Sequence, residues 1–243
     1  MSRSLPAYGL LDANEIVVTV ERLRARIEER FPASSLTKAA AQLGRTARDT
    51  AHRARALSRP YYGLRTLTLL LAAAGVVGLG LILKEVDWAG ILARTNEEAL
   101  TALLESAVNL ALLIAGGLWF LLTLEERWKR ARIQADLHQL RAFAHVVDMH
   151  QLTKDPTVLL GGGQRTASSP ERRMSRFELT RYLEYCAEML ALTGKLSALY
   201  AGETNDHVVV AAASDVETLC TDLGRKIWQK ITILGDLAES PAA

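Results

Sequence analysis

Four residues of the chain combine chemistry with helical spacing: His138, Arg141, His145 and Asp148 advance by three, four and three. That spacing places them on one stripe of a helix. His145 and Asp148 are of the types that hold a divalent metal or relay a proton. The two histidines would stand two turns apart, roughly 10 Å along the axis. One ion could bridge them only with a bent helix or a second chain. Hydrogen bonds to neighbouring helices, or solvent, account for the same stripe without metal.

Glu184 and Glu188 form a second pair, one turn apart. Paired carboxylates perform acid/base work when their surroundings separate their pKa values. Arg181, Lys195 and the basic residues of the final helix are nearer explanations for them. No spacing of nucleophile, base and orienting group is present. Gly161, Gly162 and Gly163 lack the lysine and hydroxyl of a phosphate loop, and no strand leads into them. The final segment places Arg225, Lys226 and Lys230 around Trp228. With Tyr182 from the preceding helix, Arg225, Trp228 and Lys230 form a candidate partner-binding set. No cofactor is implied.

The elements that must position these residues are organised by two apolar blocks. Leu64 to Leu83 carries no charge except Arg65, and Leu103 to Leu124 is interrupted only by Glu105. Each is long enough to cross a hydrocarbon core of roughly 30 Å as a helix. The expectation is an all-α membrane protein with two transmembrane helices in a hairpin. Three regions follow: amphipathic and basic helices over 1–63, the hairpin over 64–124, and a helical domain over 125–243 containing a flexible loop, 154–169.

Net charge is only +2, but its distribution is uneven. Residues 1–63 carry eleven Lys/Arg against six Asp/Glu, and residues 84–104 carry two against four. Basic outer flanks and an acidic connector place both termini in the cytoplasm of a plasma membrane of the bacterial inner-membrane type. Arg53, Arg55, Arg59 and Arg65 before the first block, and Arg127, Lys129 and Arg130 after the second, are expected to meet phospholipid headgroups. The basic patch lies beside the membrane and no nucleic-acid motif accompanies it, so nucleic acid is not an expected partner. Pro60, Tyr61, Tyr62 and Trp88 mark the interfaces. Cys186 and Cys220 suggest neither a disulfide framework nor a thiolate metal site.

Within the spans, Gly75 and Gly78 could admit another helix backbone. Glu105, Asn109 and Gly116 share one face of the second span with Leu112 and Thr123. Polar groups in a span usually face protein or water, which points to a homo-oligomer or another membrane protein.

Asp12 before Glu15, Thr95 before Glu98, Ser169 before Pro170, and Ser214 before Glu217 are the expected helix starts. The second span should run on as one helix of more than fifty residues from Asn96. Its positions Ile133, Leu137, Leu140, Ala144 and Val147 follow a heptad spacing. That spacing fits packing within the chain or a coiled coil between chains. The function expected from this pattern is a membrane-anchored scaffold or signalling adaptor that binds a cytoplasmic protein. The first alternative is an oligomeric channel or membrane-perturbing effector with Glu105 and Asn109 facing the pore. The second is a metal-dependent enzyme using His145 and Asp148.

Overall fold

A computed structural model describes residues 11–57, 62–85, 89–90, 97–154, 156 and 174–239. The chain is all-α. Its long helices are α1 (Ala13–Arg30), α2 (Ser35–Leu57), α3 (Tyr62–Glu85), α4 (Glu97–Leu152), α5 (Arg176–Gly202) and α6 (His207–Glu239). Two compact units result. One combines Met1–Ser58 with Arg132–Ala243, and the other is Arg59–Ala131. The N-terminal helices therefore belong to the same bundle as the C-terminal ones and do not form a region of their own.

Local sequence explains most of the boundaries. Asp12 caps α1, its side chain accepting from the Asn14 amide at 2.7 Å. Helix α1 then buries Ile16, Val20, Leu23 and Ile27, spaced by three and four. A tight turn follows, with Ala33 at φ 59°. Ser34 Oγ accepts from the Thr37 amide at 3.1 Å, and Thr37 Oγ1 donates to the Phe31 carbonyl at 2.6 Å. These bonds reverse the chain into α2, whose buried face is mainly Leu36, Leu43 and alanines.

Two helix starts differ from the sequence expectation. Helix α5 is capped by Ser175, with Glu178 Oε2 accepting from the Ser175 amide at 2.7 Å in a reciprocal capping box. Ser169 and Pro170 lie outside the described residues. Position 172, three after Ser169, is an arginine, which cannot return the cap hydrogen bond. Helix α6 starts at His207, because Asp206 Oδ1 accepts from the Val208 amide at 2.9 Å. Ser214 therefore lies inside the helix. Val208 to Val210 are helical too; burial of Val209 outweighs the weak strand preference of three valines. The expected start at Thr95, the anchors Pro60, Tyr61 and Trp88, and loop residues 157–169 lie outside the described residues.

The bundle is built around α5. Leu183, Cys186, Met189, Leu190 and Leu196 are fully buried there. Two hydroxyls share this core without penalty. Thr193 donates to the Met189 carbonyl at 2.7 Å, and Ser197 to the Gly194 carbonyl at 2.7 Å. Gly194 marks a close approach: a Cβ there would stand 3.6 Å from that of Cys220 on α6. Phe31 meets Tyr182 and Tyr185 edge-on, with centroids at 5.6 and 6.2 Å. Ile133, Leu137, Leu140, Ala144 and Val147 of α4 are all buried in this same unit. The heptad spacing thus serves packing within the chain.

In the other unit, α3 and the first part of α4 expose their apolar side chains. Leu70, Val76, Leu112, Leu113 and Trp119 are each more than half exposed. Helix α4 is one continuous helix of 56 residues. Among the described residues it is the one helix long and apolar enough to cross a membrane, and its apolar window is unburied. The apolar run described in α3, Thr66–Leu81, is shorter.

Candidate interaction surfaces

Two kinds of surface emerge: an exposed apolar one on α3 and α4, and two grooves on the bundle. The helices of the bundle are tied together by a polar framework.

The framework is centred on Asp136 of α4, which is almost fully buried. It accepts from Arg53 of α2 through Oδ1 and from Tyr200 of α5 through Oδ2, the latter at 2.8 Å. Arg53 also lies 3.8 Å from Asp49. Three helices are thereby joined at one carboxylate. Burial, then the Asp136 hydrogen bond and charge, push the Tyr200 hydroxyl pKa well up, so it remains a donor. At the far end of α4, Lys230 of α6 donates to the Gln151 carbonyl at 3.1 Å and to its side-chain oxygen at 2.5 Å. Gln151 in turn donates to Asp148 at 2.5 Å. Sequence spacing did not reveal the Arg53–Asp136–Tyr200 cluster, because its members lie far apart in the chain. The one local signal was an aspartate one residue from the apolar stripe of α4.

The sequence-derived candidates fall into four groups: metal, partner-binding, headgroup and span residues. His145 is exposed, and Asp148 is held by Gln151. Among the described residues, no group of three or more His, Cys, Asp or Glu side chains is arranged to hold a metal ion. Tyr182 is a core residue with Lys154 over its ring at 5.1 Å, and Lys230 is tied to α4. Arg225 pairs with Asp222 at 3.1 Å, while Trp228 remains 55% exposed. Trp228 and Arg225 flank a cleft of about 460 Å³ between α5 and α6, floored by Ala187, Ala191, Gly194 and Gly224.

The arginines expected to face headgroups are divided. Arg53 pairs with Asp136 and Arg55 with Asn14, both inside the bundle unit, and their neighbour Arg48 pairs with Glu21 there. Arg59 and the Arg65 side chain lie outside the described residues. After the apolar stretch of α4, Arg127 lies over the Phe120 ring at 5.5 Å, and Lys129 pairs with Glu125 at 2.9 Å. Arg130 is also engaged in an interaction. On the apolar surface, Glu105 and Asn109 are exposed. A Cβ added at Gly75, Gly78 or Gly116 would meet nothing within 4 Å. Among the described residues, these small residues are therefore not used for close packing.

The second groove lies between α2 and α4 and encloses about 680 Å³. Helix α2 lines it with Ser35, Lys38, Ala39, Gln42 and Thr46, and α4 with Gln139, Ala142, Phe143, Val146 and His150. Ser35 lies 3.4 Å from His150, and Arg53 reaches Asp136, so these two helix segments run antiparallel.

Two predictions arise from this framework. Burial pushes the Cys186 and Cys220 thiols up to about 12 and about 11. Neither should react with iodoacetamide at neutral pH in the folded chain, and both should react after unfolding; mass spectrometry of alkylated peptides reads this. Burial, and then the nearby Lys154 ammonium, lower the His150 pKa from 6.5. The unfolded chain then binds a proton here before the folded chain does, so stability is full above the unfolded value and falls as pH drops through it. Denaturant titration should show part of the stability loss that sets in as pH falls through about 6.5 disappear in His150→Gln.

No protein-family model, curated protein or solved structure matches the chain.

Proposed function

We propose that the chain is a membrane-anchored helical scaffold, held by a two-helix hairpin of α3 and α4, whose bundle docks a protein partner on the cytoplasmic side. The observation that carries this reading is the contrast between its two units. The bundle buries most of its apolar side chains and, among the described residues, satisfies its buried polar ones. By contrast, the apolar side chains of α3 and the first part of α4 lie open. Exposed apolar area of that extent is costly in water and is covered by lipid or protein.

Length agrees with lipid. Leu103 to Leu124 spans about 33 Å at 1.5 Å per residue, and the 24 residues of α3 about 36 Å. Ser106 and Thr123 return their hydroxyls to carbonyls of their own helix, at 2.9 and 3.0 Å, as a span in hydrocarbon requires. Charge supports the orientation: the acidic connector outside, and the basic flanks, including Arg127 and Arg130, inside against headgroups.

A second reading, an oligomeric pore, is favoured by the exposed Glu105 and Asn109 on an otherwise apolar surface. Liposome conductance together with particle mass in nanodiscs separates the two readings.

Alkaline carbonate extraction of membranes carrying the full chain tests the anchor. Retention in the pellet agrees with it. Release by carbonate, at the level of a peripheral control, would end the reading.

A further inference from the structure

We infer that the groove between α2 and α4 is the docking site for the partner and that its occupant is an acidic amphipathic helix. This rests on the scaffold reading and names its surface and partner class.

The lining residues carry the shape argument. On α2 they fall at offsets of zero, three, four, seven and eleven from Ser35, and on α4 at the same offsets from Gln139. Two antiparallel helices thus present matching ridges over three turns, a straight trough about 16 Å long. A third helix of about eleven residues fits such a trough, its own ridge lying between theirs. Ala39 and Ala142 keep the floor low enough for close approach. Phe143 is buried there, and Val146 is 43% exposed, offering apolar surface that no described residue covers. Recognition of this type places residues of an amphipathic helix at i, i+3, i+4 and i+7 against the floor.

The charge argument selects the partner's chemistry. None of the ten lining residues is acidic, and Lys38 stands exposed on the rim. Arg45, seven residues on, continues the Lys38 stripe of α2, and exposed Arg132, seven before Gln139, continues the α4 side. Asp49 continues the α2 stripe beyond the groove's end, where Arg53 lies 3.8 Å away. An incoming helix with glutamates beside its apolar face meets complementary charge along the rim, and one with lysines meets repulsion.

The α5–α6 cleft provides an internal control. It sets Glu217 beside Lys195 and Arg225, whereas no acidic residue lines the groove between α2 and α4.

The test uses the full chain in nanodiscs and two stapled fourteen-residue helical peptides with identical leucine faces. One carries glutamates on its flanks and the other lysines. Fluorescence anisotropy should show the acidic peptide binding at least tenfold more tightly. Val146→Glu and Lys38→Glu should each weaken it at least fivefold at an unchanged melting temperature, whereas Trp228→Ala should not. Equal binding of the two peptides would overturn the inference. So would sensitivity to Trp228→Ala without sensitivity to Val146→Glu, which would move the site to the other cleft and leave the scaffold reading standing. Self-association of the chain abolished by Val146→Glu would assign the groove to a second copy and overturn it as well. Carbonate extraction is independent of all these outcomes, so failure of the anchor is read separately.

Discussion

Arg53→Ala should lower the stability of the bundle by about 2–4 kcal/mol. The reason is what it leaves behind. Asp136 has a side chain only 7% exposed, and Arg53 supplies its countercharge. Without it, the buried carboxylate retains the Tyr200 hydroxyl but has lost its countercharge. Removing one member of a buried pair typically costs about 3–5 kcal/mol. Arg53 is 34% exposed, so water can partly replace it, and the lower part of that range is the better expectation. Tyr200→Phe should cost less, about 1–2 kcal/mol, because one hydrogen bond is lost and the ion pair remains. The double variant should fall short of the sum, since both residues act on the same carboxylate. Urea titration of the bundle by circular dichroism, in detergent, gives all three values. Additive losses would mean that Asp136 does not couple α2 to α5.

Leu113→Arg addresses the other unit. Leu113 is 74% exposed and lies at the middle of Leu103 to Leu124. In a membrane-spanning helix, a central arginine costs about 2.5–3.5 kcal/mol for insertion. The carbonate-resistant fraction should drop sharply, while Leu113→Phe should leave it unchanged. The same arginine on a helix in water would cost nothing and would even improve solubility. Opposite outcomes therefore follow from the two environments, and unchanged resistance in Leu113→Arg would contradict embedding at this depth.

Much of the helical skeleton was legible because periodicity reports burial. The three-and-four spacing of Ile16 to Phe31 and of Ile133 to Val147 identified buried faces, and the absence of glycine and proline after Glu125 predicted the continuous α4. Two helix starts were less legible, since several Ser-x-x-Glu or Ser-Pro signals compete. Ser175 and Asp206 prevailed because each finds its backbone amide partner at the point where burial begins. The union of the N-terminal helices with the C-terminal bundle could not be read from hydropathy. It depends on contacts such as Arg26–Glu188, at 2.5 Å, between residues 162 positions apart. For the same reason the arginines of α2 looked like a membrane-facing patch. Their density is visible in sequence, but Glu21, Asn14 and Asp136 as their partners are not. The groove between α2 and α4 was likewise hidden. Its two walls have ordinary amphipathic spacing, and only their antiparallel juxtaposition makes a trough.

The central claim, a hairpin in the membrane with the bundle on the cytoplasmic side, is tested most directly by cysteine accessibility. The two native thiols are buried, so single introduced cysteines can be read against a silent background. Ala89→Cys, Leu113→Cys and Thr218→Cys would be treated with a membrane-impermeant maleimide on intact cells, and again after permeabilisation. The account predicts labelling of Ala89→Cys from outside, of Thr218→Cys only after permeabilisation, and of Leu113→Cys in neither condition. Labelling of Leu113→Cys to the same extent as Thr218→Cys in permeabilised cells would place the apolar stretch of α4 in water and contradict it.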